Sequence, residues 1–168
     1  MSDICDFLIV DAPFPPSVNA LKSLVKIGKN YRIGKSKQYK EYQIDTFEPW
    51  IHRVLMKGKV DFGTEIMVWM VTCPPRSNCD LDNYYKCFLD CLEWAGVIED
   101  DKHIVSLRNE KGPRVRGGLL RVFIANERHR DRLAAMYDEE LVNQWVSRRQ
   151  GPILDPLDQL RYHRVEAD

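Results

Sequence analysis

Ile66-Met-Val-Trp-Met-Val-Thr-Cys-Pro-Pro-Arg-Ser-Asn-Cys-Asp-Leu-Asp-Asn-Tyr-Tyr-Lys86 is the stretch on which the architecture turns. Its opening run to Cys73 is unbroken apolar and β-branched sequence, which predicts a strand stopped by Pro74-Pro75. Asp82 then stands where a helix N-cap belongs, ahead of a helix over Asn83 to Ala95 that Gly96 is placed to end. On that helix Tyr84, Phe88, Cys91, Leu92 and Ala95 form one apolar stripe, whose expected job is core packing.

Upstream, Ile4 to Val10 reads as a first strand, closed by Ala12-Pro-Phe-Pro-Pro-Ser17. The basic stretch that follows, to about Gln38, carries Gly28 and Gly34 and has no clear period. It predicts a long loop or ribbon, mobile until something binds it. Tyr39 to about Lys57 has helical spacing in Tyr42, Thr46, Trp50, Ile51, Val54 and Leu55, with Pro49 expected to kink or split the helix. Downstream, Ile104 to Leu107 and Gly118 to Ala125 read as strands joined by the turn Lys111-Gly-Pro-Arg-Val-Arg-Gly117. This order predicts an α+β fold: a small mixed β-sheet packed with helices on one side. From residue 126 the composition changes, and Leu133, Met136, Tyr137, Leu141 and Trp145 recur at helical spacing up to Gly151-Pro152. The chain therefore divides into a core domain over 1–125 and a mostly helical extension over 126–168, with Ile153 to Asp168 as a peripheral tail.

The chain has 168 residues and 44% hydrophobic content, enough for one buried core and too apolar for wholesale disorder. No stretch approaches the roughly 18 to 20 apolar residues of a membrane span. Met1-Ser-Asp-Ile-Cys-Asp6 has acids where a secretory leader has lysines, so a cytoplasmic protein without a membrane partner is expected. Cys5, Cys73, Cys79, Cys87 and Cys91 form no CxxC pair, and His52, His103, His129 and His163 are scattered. Buried free thiols are expected in preference to a zinc site or disulfides.

Twenty-five bases balance 25 acids, yet the zero net charge hides segregation. Lys22, Lys26, Lys29, Arg32, Lys35, Lys37 and Lys40 span a segment without an acid. Asp80, Asp82, Asp90, Glu93, Glu99, Asp100 and Asp101 span one whose only base is Lys86. From Lys102 to Arg121, six bases face Glu110 alone. Such blocks are often solvated loops; a functional reading is an acidic centre holding a divalent cation while basic flanks hold a polyanion.

In an extended stretch Asp80 and Asp82 point to one face, so their carboxylates converge. Their repulsion falls when a hard divalent cation sits between them, and Mg²⁺ typically takes one or two carboxylates plus substrate phosphate oxygens. Lys86, one helical turn after Asp82, is placed to reach a phosphate. The plainer readings are that Asp82 only caps the helix and that Lys86 only pairs with Asp82 and Asp90. A haloacid-dehalogenase-like reading of the DxD fails on context, because those aspartates end an apolar strand near the start of the chain and Asp80 does not.

The spacing carries more. Asp80-Leu-Asp-Asn-x-x-Lys86, Asp90 inside the helix, then Ala95-Gly96-x-x-x-Asp-Asp101 resembles the RusA family of Holliday junction resolvases. Pro13-Phe-Pro-Pro-Ser-x-Asn19, Pro74-Pro75-Arg76 and Gly117-Gly118 fit the same family, and the resemblance covers about residues 4 to 125. It implies a homodimer that binds four-way DNA junctions and makes paired symmetric cuts with Mg²⁺, for which Mn²⁺ can substitute, and no small-molecule cofactor. It carries the three essential aspartates onto Asp80, Asp82 and Asp101 as metal ligands, and the motif lysine onto Lys86. Ser77, Asn78 and Cys79 depart from the family pattern where arginines are common, and the tail after Asn126 has no counterpart in its short members.

On this reading Lys22, Lys26, Lys29, Arg32, Lys35 and Lys37 track DNA backbones, with Arg76, Lys111, Arg114 and Arg116 as further contacts. A helix over 83–95 is about 20 Å long, so Asp82 and Asp101 start from its opposite ends. Asp101 either returns to its own Asp80 and Asp82 or joins those of a second subunit across a two-fold axis, the arrangement favoured here. Two rivals stand beside the nuclease: a junction-binding dimer without cleavage, and a metal-dependent nucleotide phosphohydrolase.

Overall fold

The computed structural model describes residues 5–20, 22–56, 58–148 and 162–164. Its strands are β1 (Phe7–Pro13), β2 (Lys22–Ile27), β3 (Asn30–Lys35), β4 (Ile66–Cys73), β5 (Ile104–Lys111), β6 (Leu119–Asn126) and β7 (Tyr162–Arg164). The helices are α1 (Lys37–Glu41), α2 (Glu48–Leu55), α3 (Asp82–Trp94) and α4 (Arg130–Arg148). β5-β4-β6-β1-β7 form one mixed sheet, and β2-β3 stand apart as a two-stranded ribbon. The fold is α+β, as expected.

β4 occupies the predicted run, Ile66 to Cys73, and every one of its residues is buried. It pairs parallel with β5 and antiparallel with β6. Alternation along the strand sends Val68 and Met70 to one side, where Leu8, Val10, Val122 and Ile124 join Trp50, Ile51 and Val54 of α2 and Phe88, Cys91 and Leu92 of α3. Met67, Trp69 and Val71 go to the other side, with Phe7, Ile9 and Phe123, and meet Leu133 and Tyr137 of α4. The helices of the first 125 residues thus lie on one face, and the C-terminal helix covers the second. Tyr137 is fully buried there, its hydroxyl donating to Met70 O at 2.6 Å, and burial pushes its pKa upward. Burying a side chain of such size contributes about 2–3 kcal/mol.

Several local expectations shift. The first strand runs to Pro13, because its backbone stays paired with β6 as far as Leu119. Of the loop or ribbon expected for the basic stretch, the structure has the ribbon, a hairpin with Gly28 at φ +62° supplying the turn between Ile27 and Asn30. Pro49 neither kinks nor splits a plain helix: α1, a wide π-type turn over Tyr42–Phe47 and α2 follow without a gap. The wider turn precedes a proline that cannot donate to the ladder. Asp82 is not the N-cap of α3. Leu81 holds that position with helical φ and ψ and no side-chain capping bond, because the turn starts earlier, with Asn83 N donating to Asp80 O. Cys5, Cys73, Cys87 and Cys91 are buried, Cys79 is half-buried, and none of the five is in a disulfide. Among the described residues no helix is long and apolar enough to cross a membrane. Of the tail over 153–168, only β7 is described, and it pairs with β1.

One ion network crosses three elements. The Arg121 guanidinium of β6 grips Asp11 of β1 with both arms, at 2.6 and 2.8 Å, and reaches Glu140 of α4 at 2.6 Å. Burial works against this charge, but the two carboxylates outweigh it and hold the Arg121 pKa above its ordinary value. Asp11→Ala strips the bidentate partner from a mostly buried cation. The expected loss is about 3–5 kcal/mol, read in thermal denaturation as a midpoint lower by roughly 10 °C.

Candidate active site

The acid-bearing segment leaves β4 at Cys73 and enters α3 at Asp82. It runs past the C-terminal end of β5, which fastens it from the side. Lys111 Nζ donates to Ser77 O and Cys79 O, both at 3.0 Å, and Asn109 Nδ2 donates to Leu81 O at 3.3 Å. Asn109 is itself set by Thr72 of β4, whose hydroxyl donates to Asn109 Oδ1 at 2.6 Å. The chain then leaves β5 through Gly112, where a Cβ would lie 2.6 Å from Cys73 Sγ, so only glycine passes so close to β4. These ties fix the backbone on both sides of Asp80.

From the other side Tyr84 props the same segment. Its hydroxyl meets Cys79 Sγ at 3.4 Å, and this bond, with burial, pushes its pKa up to about 12. The Tyr84 ring packs on Phe14 at 4.6 Å between centroids. Gly118, at φ +78°, lies beneath Phe14, and a Cβ there would come within 2.4 Å of the ring. The Pro-aromatic motif and the Gly-Gly pair, distant in sequence, thus converge on the α3 entrance.

Asp80 and Asp82 are both exposed, but the stretch between them is not extended as expected: Leu81 is helical, so strand alternation does not set their carboxylates on one face. Asp80 keeps a 3.4 Å contact with Asn83, and Asp82 sits in the first turn of α3, where the helix dipole favours a negative charge. Lys86, also exposed, pairs at 3.6 Å with Asp90 on the next turn rather than with Asp82. A surface pair of this kind is weak, so the ammonium is available to a stronger anion.

Asp101 lies elsewhere. It opens a short 3-10 turn ahead of β5 and is exposed, while its neighbour Asp100 caps the turn and pairs with Lys102 at 2.6 Å. Because β4 and β5 are parallel and α3 runs back between them, Asp101 is at the end of the sheet opposite Asp80 and Asp82. The length of α3 sets this separation at about 20 Å. Among the described residues, no three His, Cys, Asp or Glu side chains gather as a metal cage within one chain.

The basic residues fall into separate places. Lys22 and Lys35, paired across the base of the ribbon, line a groove of about 450 Å³ together with Tyr39, Lys86, Asp90, Glu93 and Trp94. Lys26, Lys29 and Arg32 lie farther along the exposed ribbon. Lys37 is on α1, ion-paired with Glu41 at 3.4 Å. Arg76 is exposed on the acid-bearing segment, and Arg114 and Arg116 on the turn between β5 and β6. Lys111 holds carbonyls of that segment. Asn109 and Thr72 were not legible as site residues, since their role exists only once β4 and β5 are in register.

An α+β sheet that displays a carboxylate pair at a helix entrance, with a lysine one turn on and a basic ribbon alongside, has the make-up of a protein that handles nucleic-acid phosphates. The family model described as Endodeoxyribonuclease RusA matches residues 13–125, and the chain belongs to that family. Its relatives include proteins named crossover junction endodeoxyribonuclease RusA from Escherichia coli K12, Shigella sonnei and Enterobacteria phage 82. Each is 28% identical over 118 residues, which is 68% of this chain and 91% of the relative.

Asn109→Ala removes the tie to Leu81 O while leaving every carboxylate in place. The expected result is DNA cleavage slower by roughly tenfold or more, with DNA affinity unchanged in a gel-shift titration.

Proposed function

We propose that this chain is a metal-dependent endonuclease that resolves four-way DNA junctions by paired symmetric cuts, acting as a homodimer. The observation that carries the reading is the exposed Asp80–Asp82 pair, anchored through Asn109 and Lys111, beside a basic ribbon in a chain of the RusA family. The donor set suits Mg²⁺, with Mn²⁺ as a substitute, since it offers hard carboxylate oxygens that no capping bond occupies. Asp80 and Asp82 would hold the metal, which supplies an activated water and counter-charge to the phosphate.

The residues of the chain do the rest. The ties at the Ser77, Cys79 and Leu81 carbonyls hold the backbone that carries the carboxylates, which limits the reorganisation that accompanies the reaction. Lys86 leaves Asp90 for the scissile phosphate and offsets the negative charge that grows there. Lys22 and Lys35, on the same groove as Lys86, would guide the strand towards it.

The separation of Asp101 from Asp80 and Asp82 supports a shared site. β5 is the edge strand of the described sheet, and Val105 and Leu107 are exposed on it. Two copies pairing antiparallel along β5 would bring Asp101 of one to the Lys111 end of the other, next to the partner's Asp80 and Asp82. Two composite sites related by a two-fold axis then match the symmetry of a four-way junction.

The decisive experiment is cleavage of a synthetic four-way junction in Mg²⁺, beside linear duplex of the same sequence. Paired nicks on the junction are expected from the wild type and none from Asp82→Asn. Tight binding without cuts would instead make the chain a binding dimer, and nucleotide hydrolysis without junction cutting would overturn the DNA reading.

Mixing Asp80→Asn with Asp101→Asn separates the two placements of Asp101. Heterodimers with a shared site rebuild one intact centre and are expected to regain single nicks. A site contained within one subunit regains nothing.

Salt gives a third test. With six or more phosphate contacts, junction affinity should fall on the order of 10³-fold between about 50 and 200 mM salt, and nucleotide hydrolysis would respond far less.

A further inference from the structure

The ribbon leaves apolar surface in water that no described residue covers. Leu24 and Ile33 are each 73% exposed and Tyr31 65%. Register puts them on one face: Lys22 opposite Lys35, Leu24 opposite Ile33, and Lys26 opposite Tyr31. That face therefore reads Lys22, Leu24, Lys26 along one strand and Lys35, Ile33, Tyr31 along the other, three ammonium groups interleaved with three large apolar or aromatic groups. A two-stranded hairpin is marginal in water, and lysines directly opposed across it repel, so the free ribbon is short of a partner that is both anionic and apolar.

The charge identifies the partner's class. Lys22, Lys26, Lys29, Arg32 and Lys35 lie between residues 22 and 35 without one acid. A ribbon laid on its own copy would set five positive charges against five. Nucleic acid offers what the face lacks, phosphates for the lysines and flat base faces for the side chains between them. Continuous duplex hides those faces in its stack, and a branch point exposes them. At the ribbon's base, Lys22 and Lys35 share one groove with Lys86 and the half-exposed Trp94, so the face leads directly to the acid-bearing helix.

We infer that the Leu24–Ile33 pair, with Tyr31, is a wedge that packs against unstacked bases at the branch point of DNA while Lys22, Lys26 and Lys35 hold the flanking phosphates. This rests on the branched-DNA reading above and adds the element that distinguishes branched from linear substrate. Phosphate contacts bind both forms, and the apolar pair gains surface only on the branched one.

The test uses the full chain in EDTA, so that nothing is cut, and a four-way junction with 2-aminopurine at the crossover. Wild type is expected to raise the fluorescence at the crossover and to leave the same label in linear duplex unchanged. Leu24→Thr/Ile33→Thr keeps strand-forming side chains and removes most of the apolar surface. It is expected to lose the rise and to lose junction-over-duplex preference by roughly tenfold, while duplex affinity and its salt dependence stay within twofold. Leu24→Met/Ile33→Val should keep both signals. The single threonine variants, each losing part of both, carry the same test if the pair unsettles the ribbon.

A threonine variant that retains the fluorescence rise and the preference overturns the wedge. So does one that sediments as a smaller species, because the ribbon would then be joining subunits. Wild type that cuts junctions without any rise in fluorescence overturns the wedge and leaves the nuclease reading intact. Wild type that ignores branched DNA removes both.

Discussion

The rest of the molecule depends on β4 being buried on both faces and paired on both edges. A strand in that position must be apolar along its whole length, which Ile66 to Cys73 is, and it must stop where the sheet stops. Its parallel neighbour β5 requires the chain to travel back along the sheet in between, and α3 is that return path. The carboxylates stand at the turn from outward to return travel, where Asp82 is the first helical residue. Side chains at the end of β5 then reach across to hold the turn. The position and rigidity of the acids thus follow from how β4 is paired.

Features that arise from one element's own pattern were legible. β4 was, because an uninterrupted apolar run bounded by two prolines has few other readings. The end of α3 was, because Gly96, at φ +68°, takes a left-handed conformation just past the helix. Features that depend on a neighbour were not. β5 was read as far as Leu107 yet runs to Lys111, since Arg108 to Lys111 are all polar and lose the apolar signal while keeping their ladder to β4. Asp82 has a good capping side chain, but the turn begun at Asp80 reaches helical geometry first. The acidic residues themselves could be read; the hand that holds them, Asn109 with Thr72 and Lys111, comes from strand register.

Electrostatics shows a similar division of labour. With as many acids as bases, the whole chain has little long-range field to steer a polyanion. Attraction is therefore local, from the ribbon, the groove at its base and the turn between β5 and β6. The acids are either spent within the fold, as Asp11 is on Arg121, or displayed near those bases, as Asp80 and Asp82 are. Arg121 also joins β1, β6 and α4 through one guanidinium, so the C-terminal helix is fastened by charge as well as by Leu133 and Tyr137.

The pairing of β1 with β6 has a consequence for how the chain comes into being. Phe7 pairs with Ala125, so β1 finds its β6 partner only after more than a hundred further residues have emerged. At about 5–20 residues per second, β1, apolar but for Asp11, spends many seconds unpaired. β4, α3 and β5, which are near neighbours in sequence, can assemble during that interval because their contacts are short in range. β1 is accordingly made before β4 and β5 and enclosed after them. A cell producing this protein has to shield the run from Phe7 to Val10 until β6 has been made.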